Sequence, residues 1–283
     1  MTGTKHPLGV RMEAGRDALE RLGLTCESKI DQSIDDMRRM SDLMTSAHAP
    51  TMKAGARLNV GATDEGFRQE SIQEMLTFID TAAQFSRVKK VNMHPGPRQW
   101  PDELQTAGRY GDYGLQIDAI RQIGDYAAAK GLELVLENNN ANFADVPDDL
   151  PTEEIDWSER KQSFGASPEE WMQISLDVDR PNVGLCLDSS HTSTYAHTFT
   201  DPKRREEVVM AFVSRPELIK HVHWNDNYLY DTRGRTDSHA LLGKGTLPLD
   251  LHRAIKSLDA TIVIEHFYSV EELEEELEFI GGL

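Results

Sequence analysis

Nine residues of the types that bind divalent cations stand in order at or near the ends of six apolar, strand-like segments. His48 closes Thr45-Ser-Ala-His48, His94 closes Lys90-Val-Asn-Met-His94, and Glu137 closes Leu134-Val-Leu-Glu137. Asp188 closes Gly184-Leu-Cys-Leu-Asp188 with His191 three positions on, His223 closes Lys220-His-Val-His223, and Glu265 closes Ile262-Val-Ile-Glu265. Asp237-Ser-His239 lies between the last two. One such ending is ordinary, since charged residues cap strands for solubility; six in a row at the same end need another reason. Glu137 and Glu265 end runs of leucine and β-branched residues, where a lone ionised carboxylate is costly to bury. Lys89, Lys90 and Lys220 sit at strand starts, the wrong end, and no strand of this set offers an inward cation, so a metal is the expected counter-charge. His221 and His223 are two apart and share one face, with the deeper His221 read as support. His6, His197, His252 and His266 have no comparable partners and read as structural or solvated.

The elements that must carry these residues alternate. Strand-like runs fall at residues 8–12, 24–30, 45–48, 88–94, 132–137, 183–188, 219–224 and 261–267, with helix-like stretches between most of them. Ile72, Met75, Leu76, Ile79, Ala82 and Ala83 have helical spacing, as do Ile117, Ile120, Ile123, Tyr126 and Ala127. Ser167-Pro-Glu-Glu is a capped helix start, and Ser269-Val-Glu-Glu repeats the signal without proline. Such alternation predicts parallel strands joined by crossovers. Eight such units can close as a (β/α)8 TIM barrel, the expected fold, a single domain over residues 1–283 with the metal site at the C-terminal face of the strands; an open doubly wound sheet is the alternative, but it would scatter the six strand ends along a line rather than around one centre. The first βα unit is compressed and its strand boundaries are the least sharply marked. Two long connections, residues 138–167 and 225–246, are expected to act as lids or substrate-binding elements.

The formal charge of −18 works against non-specific attraction to nucleic acid or an anionic membrane. No run of about 18 apolar residues and no leader-like N-terminus is present, which predicts a soluble, cytoplasmic chain. Cys26 and Cys186 are expected to be reduced and buried, without the spacing of a thiolate zinc site. Gly243-Lys-Gly245 lacks the full phosphate-loop pattern, and a turn bringing Lys244 near the site is the expectation. Neither a dinucleotide-binding glycine fingerprint nor a serine nucleophile elbow occurs.

The segments His48-Ala-Pro, His94-Pro-Gly, Leu136-Glu137-Asn138, Leu187-Asp188-Ser-Ser-His191, His223-Trp-Asn-Asp226, Asp237-Ser-His239 followed by Leu-Gly-Lys-Gly, and Ile264-Glu265 resemble the xylose isomerase-like barrel superfamily. That superfamily includes endonuclease IV and many sugar-phosphate isomerases or epimerases, and the resemblance runs from about residue 45 to the C-terminus. It implies one ion on His48, His94 and Glu137, a second on Glu137, Asp188, His223 and Glu265, and a third on His191, Asp237 and His239. The DNA-contacting N-terminal pattern of endonuclease IV is missing, and Ala49-Pro-Thr-Met stands where an aromatic usually follows the first histidine.

A nitrogen and oxygen donor set suits zinc first, with manganese or iron(II) as alternatives. The expected function is phosphoester hydrolysis on up to three ions, with a small phosphorylated or polyhydroxylated substrate. Glu137, Glu265 and His191 are the expected catalytic residues, and Asn138, Asp226 and Lys244 the expected substrate contacts. The alternative is a sugar or sugar-phosphate isomerase or epimerase, with one ion on Glu137, Asp188, His223 and Glu265 and the two glutamates moving a proton. An abasic-site DNA endonuclease and a non-catalytic metal-binding barrel stand further off. Nucleic acid is disfavoured as a partner, and the oligomeric state is not legible.

Overall fold

The computed structural model describes residues 2–29, 32–99 and 110–283. Eight short strands come from the eight apolar runs: β1 (Leu8–Arg11), β2 (Thr25–Ser28), β3 (Met44–His48), β4 (Lys90–Met93), β5 (Glu133–Glu137), β6 (Val183–Asp188), β7 (Ile219–Trp224) and β8 (Thr261–Ile264). They close into a barrel in sequence order, β8 pairing with β1, and every pair is parallel. The expected TIM barrel is therefore the observed fold. Strands covered on both faces read as continuous apolar runs, and Leu134, Val135 and Leu136 of β5 are fully buried.

The crossovers are amphipathic helices. α3 (Glu65–Ala82) buries Ile72, Met75, Ile79 and Ala82 against the strands, and α4 (Tyr113–Ala129) buries Ile117, Ile120, Ile123 and Ala127. In α5 (Pro168–Val178) the Ser167 hydroxyl accepts from the Glu170 amide at 3.2 Å, the cap that the sequence announces. α9 (Val270–Gly282) starts the same way on Ser269. The first unit is compressed: α1 (Gly15–Leu22) follows β1 after one short turn, so β1 ends at Arg11 and β2 at Ser28.

The long connections lie over the C-terminal face. Gln162–Ser163 pairs antiparallel with Pro97–Gln99, which anchors the 138–167 connection to the loop after β4. Arg235, in the 225–246 connection, donates to Leu150 O at 2.8 Å and Thr152 Oγ1 at 3.1 Å, bracing the two together. Cys26 and Cys186 are buried free thiols, as expected. Among the described residues, no helix is long and apolar enough to cross a membrane.

Candidate metal centre

Strand register brings the nine donors together. Asp188 pairs with His223 across β6 and β7, and Cys186 with Glu137 across β6 and β5, so the three donors end up within two residues of one level. His94 and Glu265 fall one residue beyond β4 and β8. Asp188 is both the last residue of β6 and the N-cap of α6 (Ser189–Ala196): its Oδ1 accepts from the His191 amide at 3.0 Å. That cap fixes the Asp-x-x-His spacing, since the third helical residue rises beside its own cap.

Glu137 is the hub. Its Oε2 lies 3.3 Å from Nε2 of both His48 and His94, while Oε1 lies 3.4 Å from His223 Nδ1 and 3.6 Å from His191 Nδ1. His223 Nδ1 is also 3.0 Å from Glu265 Oε2. Asp237 joins the third pair, with Oδ2 3.1 Å from His191 Nε2 and Oδ1 3.0 Å from His239 Nε2. His239 Nε2 stands 3.8 Å from Asp188 Oδ2, which ties this group to the deeper one. Two four-residue sets result, His48, Glu137, His223, Glu265 and Asp188, His191, Asp237, His239, and within each the donor atoms lie within 4.8 Å of one another.

Most of the rings are also anchored from behind. His48 Nδ1 faces Ala49 O at 2.9 Å, His94 Nδ1 faces Asn139 Oδ1 at 3.1 Å, and His223 Nε2 faces Glu27 Oε1 at 2.8 Å. An acceptor oxygen there requires an N–H, which leaves the other nitrogen's lone pair aimed at the centre. His48 Nε2, His223 Nδ1, His239 Nε2, Asp237 Oδ1 and Glu265 Oε2 are buried without a hydrogen bond. Five stranded donors converging on one space fit a divalent cation, since protein interiors rarely leave such atoms unpaired.

The charges agree. Burial drives His94 down to about 3, so the ring is neutral and ligand-ready. Burial opposes the Glu137 and Glu265 carboxylates, yet His223, by charge and hydrogen bond, holds the first below the usual carboxylate range, and Arg11 with His223 the second. Asp188 is pushed up to about 8 by burial, against the pull of His191. A group so costly to ionise in the protein alone is one that a cation would relieve.

Three expectations need correction. Asp226 is not a substrate contact: its two oxygens accept from the amides of Asn227, Gly243, Gly245 and Leu247 at 2.8–3.2 Å. Gly243-Lys-Gly245 exists for that fold-back, since a Cβ on Gly245 would stand 2.3 Å from Asp226 Oδ1. Lys244 consequently points away and pairs with Glu275 at 3.0 Å on the surface. Asn138 is turned to the scaffold, exchanging two hydrogen bonds with the backbone of Asp188 at 2.7 and 3.0 Å. The fold-back of the 225–246 connection, with Asp226 and Ala240 exchanging backbone bonds, also holds His239 at a φ of 40°, left-handed for a non-glycine residue.

A cation at the strand ends does exist: Arg11 ends β1 and its guanidinium closes on Glu265 Oε1. Glu27, one residue before the end of β2, is fully buried against His221 and His223. Arg11 carries the same signal as the nine donors, a charged residue closing a strand, and Glu27 comes one residue short of it, both in the compressed first unit. Asn92 donates to Glu137 Oε2, and Asn225 to Asp188 Oδ2 at 3.2 Å. His266 does have partners, Asn225 Oδ1 at 2.9 Å and Glu276 Oε1 at 2.8 Å. His197 and His252 are structural as expected, and His6 pairs with Asp259 at the surface. The remaining cluster of Cys186, His221 and His223 is a packing layer, because Glu27 already engages both rings.

Residues 13–282 match the family described as xylose isomerase-like TIM barrel, and the chain belongs to it. An uncharacterised protein of Methanocaldococcus jannaschii is 23% identical over 236 residues, covering 82% of this chain and 67% of that one. Apurinic-apyrimidinic endonuclease 1 of Plasmodium berghei is 25% identical over 204 residues, 70% of this chain but 34% of the relative, so the match spans about a third of that protein. Among solved structures, a D-tagatose 3-epimerase-like protein superposes with a TM-score of 0.65 at 20% identity, covering 98% of this chain and 99% of that one. The IOLI protein with a bound zinc atom gives 0.63 at 17% identity, covering 98% of each chain. These two likenesses are of fold.

Proposed function

We propose that this barrel is a divalent-metal-dependent enzyme that hydrolyses a small phosphoester. The observation that carries the reading is the division of Glu137: one carboxylate oxygen faces His48 and His94, the other His223 and His191. A carboxylate shared in this way would serve two ion positions, and Asp237 with His191 and His239 would hold a third. Bound there, zinc, manganese or iron(II) would lower the pKa of water from about 15.7 towards about 7 and polarise a phosphoryl oxygen.

The chain's own groups do the rest. Glu137 supplies the negative charge that keeps neighbouring cations together. Glu265, held ionised against Arg11, orients the attacking oxygen and accepts its proton. His191, set between Asn138 O and Asp237, stands at the leaving-group side. Arg57, half-buried and lowered to about 10 by burial against the pull of Glu137, offers positive charge to an anionic substrate. His94, Asp237 and His239 are the partly exposed donors and mark the side from which substrate arrives.

The second reading is sugar epimerisation. Glu137 Oε1 and Glu265 Oε2 both approach His223 Nδ1, at 3.4 and 3.0 Å, so two carboxylates stand at one centre, and a pair of carboxylates is what moving a proton at a substrate carbon calls for. The similarity to a D-tagatose 3-epimerase-like fold supports it. A metal count on protein purified without added metal, followed by assays on small phosphoesters, ketoses in deuterated water and an abasic duplex, separates the readings. About three ions with chelator-sensitive phosphoester turnover is the expected result. One ion with deuterium entering a ketose would replace hydrolysis by epimerisation, and incision of the duplex alone would overturn the small substrate.

A further inference from the structure

β7 sends two histidines inward, two residues apart, where TIM barrels bury aliphatic layers. Facing them, β2 contributes Glu27, with no exposed surface. The carboxylate forks: Oε1 lies 2.8 Å from His223 Nε2 and Oε2 lies 2.8 Å from His221 Nε2. Beyond His221, its Nδ1 is 2.6 Å from the Thr261 hydroxyl, on β8. Beyond His223, its Nδ1 opens onto Glu265 and Glu137 and has no hydrogen bond.

We propose that Glu27 is the positioning residue of the metal centre, locking His223 in the tautomer whose Nδ1 lone pair faces the ion and using His221 as its own brace. The inference rests on the metal reading above. An ionised carboxylate accepts and never donates. Both Nε2 atoms must therefore carry hydrogen, and in neutral rings both Nδ1 atoms must be acceptors. Thr261 satisfies that requirement at His221 when its hydroxyl proton turns to Nδ1 at 2.6 Å rather than to Lys220 O at 3.3 Å. At His223 nothing in the chain does, because the groups it faces are themselves carboxylates. In the neutral ring the tautomer is thus dictated from below, by a residue that touches no donor other than His223, and the Nδ1 lone pair then faces two carboxylates that a cation would join to it.

Glu27→Gln is the test because it keeps the shape and breaks the logic. A glutamine has one acceptor and one donor end, so one of the two rings must give up its Nε2 hydrogen. Zinc affinity, measured by chelator competition on folded protein, is expected to fall 10–100-fold, the usual cost of losing such a partner. Thr261→Val removes the far end of the brace but leaves Glu27 on both rings, and should change affinity less than threefold. Nitrogen-15 NMR of zinc-loaded wild-type protein gives a reading independent of any variant's folding: both His221 and His223 should carry hydrogen on Nε2. Wild-type affinity in Glu27→Gln, equal loss in Thr261→Val, or a His223 ring bare at Nε2 would each overturn the proposal. A wild-type protein that binds no zinc, manganese or iron(II) would instead remove the metal reading itself.

Discussion

Arg11 and Glu265 close the barrel twice, once through the pairing of β1 with β8 and once through the ion pair at their ends. Val10 pairs with Ile264, so the next residues, a cation and an anion, finish side by side. Both are largely buried, with side chains 14% and 4% exposed. Breaking a buried pair from one side leaves an uncompensated charge and costs about 3–5 kcal/mol. Arg11→Met is expected to lower the thermal midpoint of chelator-treated protein sharply, and zinc should restore part of the loss by taking over the charge of Glu265. An unchanged midpoint without metal would show that Arg11 is not the counter-ion.

Glu137→Ala should remove more than one ion per chain, since one side chain faces both sets of histidines. Elemental analysis of the purified variant reads this directly. His6→Ala, which touches only the exposed Asp259, is the control and should keep the full count. Retention of full metal by Glu137→Ala would rule out the bridge.

Asp226→Ala should act at a distance. The carboxylate organises the connection that carries Asp237 and His239 by accepting four amides, and hydrogen bonds to a charged group contribute about 1.5–3 kcal/mol each. Loss of roughly one ion, with the Glu137 set still loaded, is the expected pattern. Wild-type metal content would mean that the connection holds its shape without that anchor.

The metal-free protein should be most stable near pH 6.5 and weaken above it. His94 and His197 are lowered by burial to about 3 and about 4, so the unfolded chain binds more protons below pH 6.5 and stability climbs with pH there. His239 is raised from 6.5 to about 9, burial being outweighed by Asp237, so its contribution is complete below pH 6.5 and is lost on the way to about 9. Asp188, raised by burial to about 8, pulls in the same downward direction up to that pH. Urea unfolding of chelated protein at pH 6.5 and 8 should give the lower midpoint at pH 8. A higher midpoint at pH 8 would contradict this balance, and His239→Asn should flatten the decline.

The barrel and the convergence of the nine candidate residues are legible because their signals are local: an apolar run followed by a His, Asp or Glu, repeated in step with helical spacing. Arg11 and Glu27 are less legible: the 3-10 turn Met12–Ala14 follows Arg11 at once, and Glu27 lies inside its strand, before Ser28, rather than closing it. The role of Asp226 was not legible, because its partners Gly243, Gly245 and Leu247 lie 17–21 residues away and come to it only when the connection folds back. Lys244 followed the same error: the glycines beside it serve a close backbone approach, not the presentation of a cation. The sequence puts Asn138 at the substrate, whereas the Asp188 backbone, at the end of the adjacent strand, takes both ends of its amide.

A site whose parts run from the end of β1 to just past β8 has a history during synthesis. Chains emerge N-terminus first, so Arg11 and Glu27 leave the ribosome long before Glu265. Until the last strand docks, the early strands hold a cation and a carboxylate meant for burial, with their final partners still unmade. No shorter nascent intermediate can assemble the full donor set. A metal that needs the full set would therefore load only after synthesis, once β8 has docked and brought Glu265 beside His223.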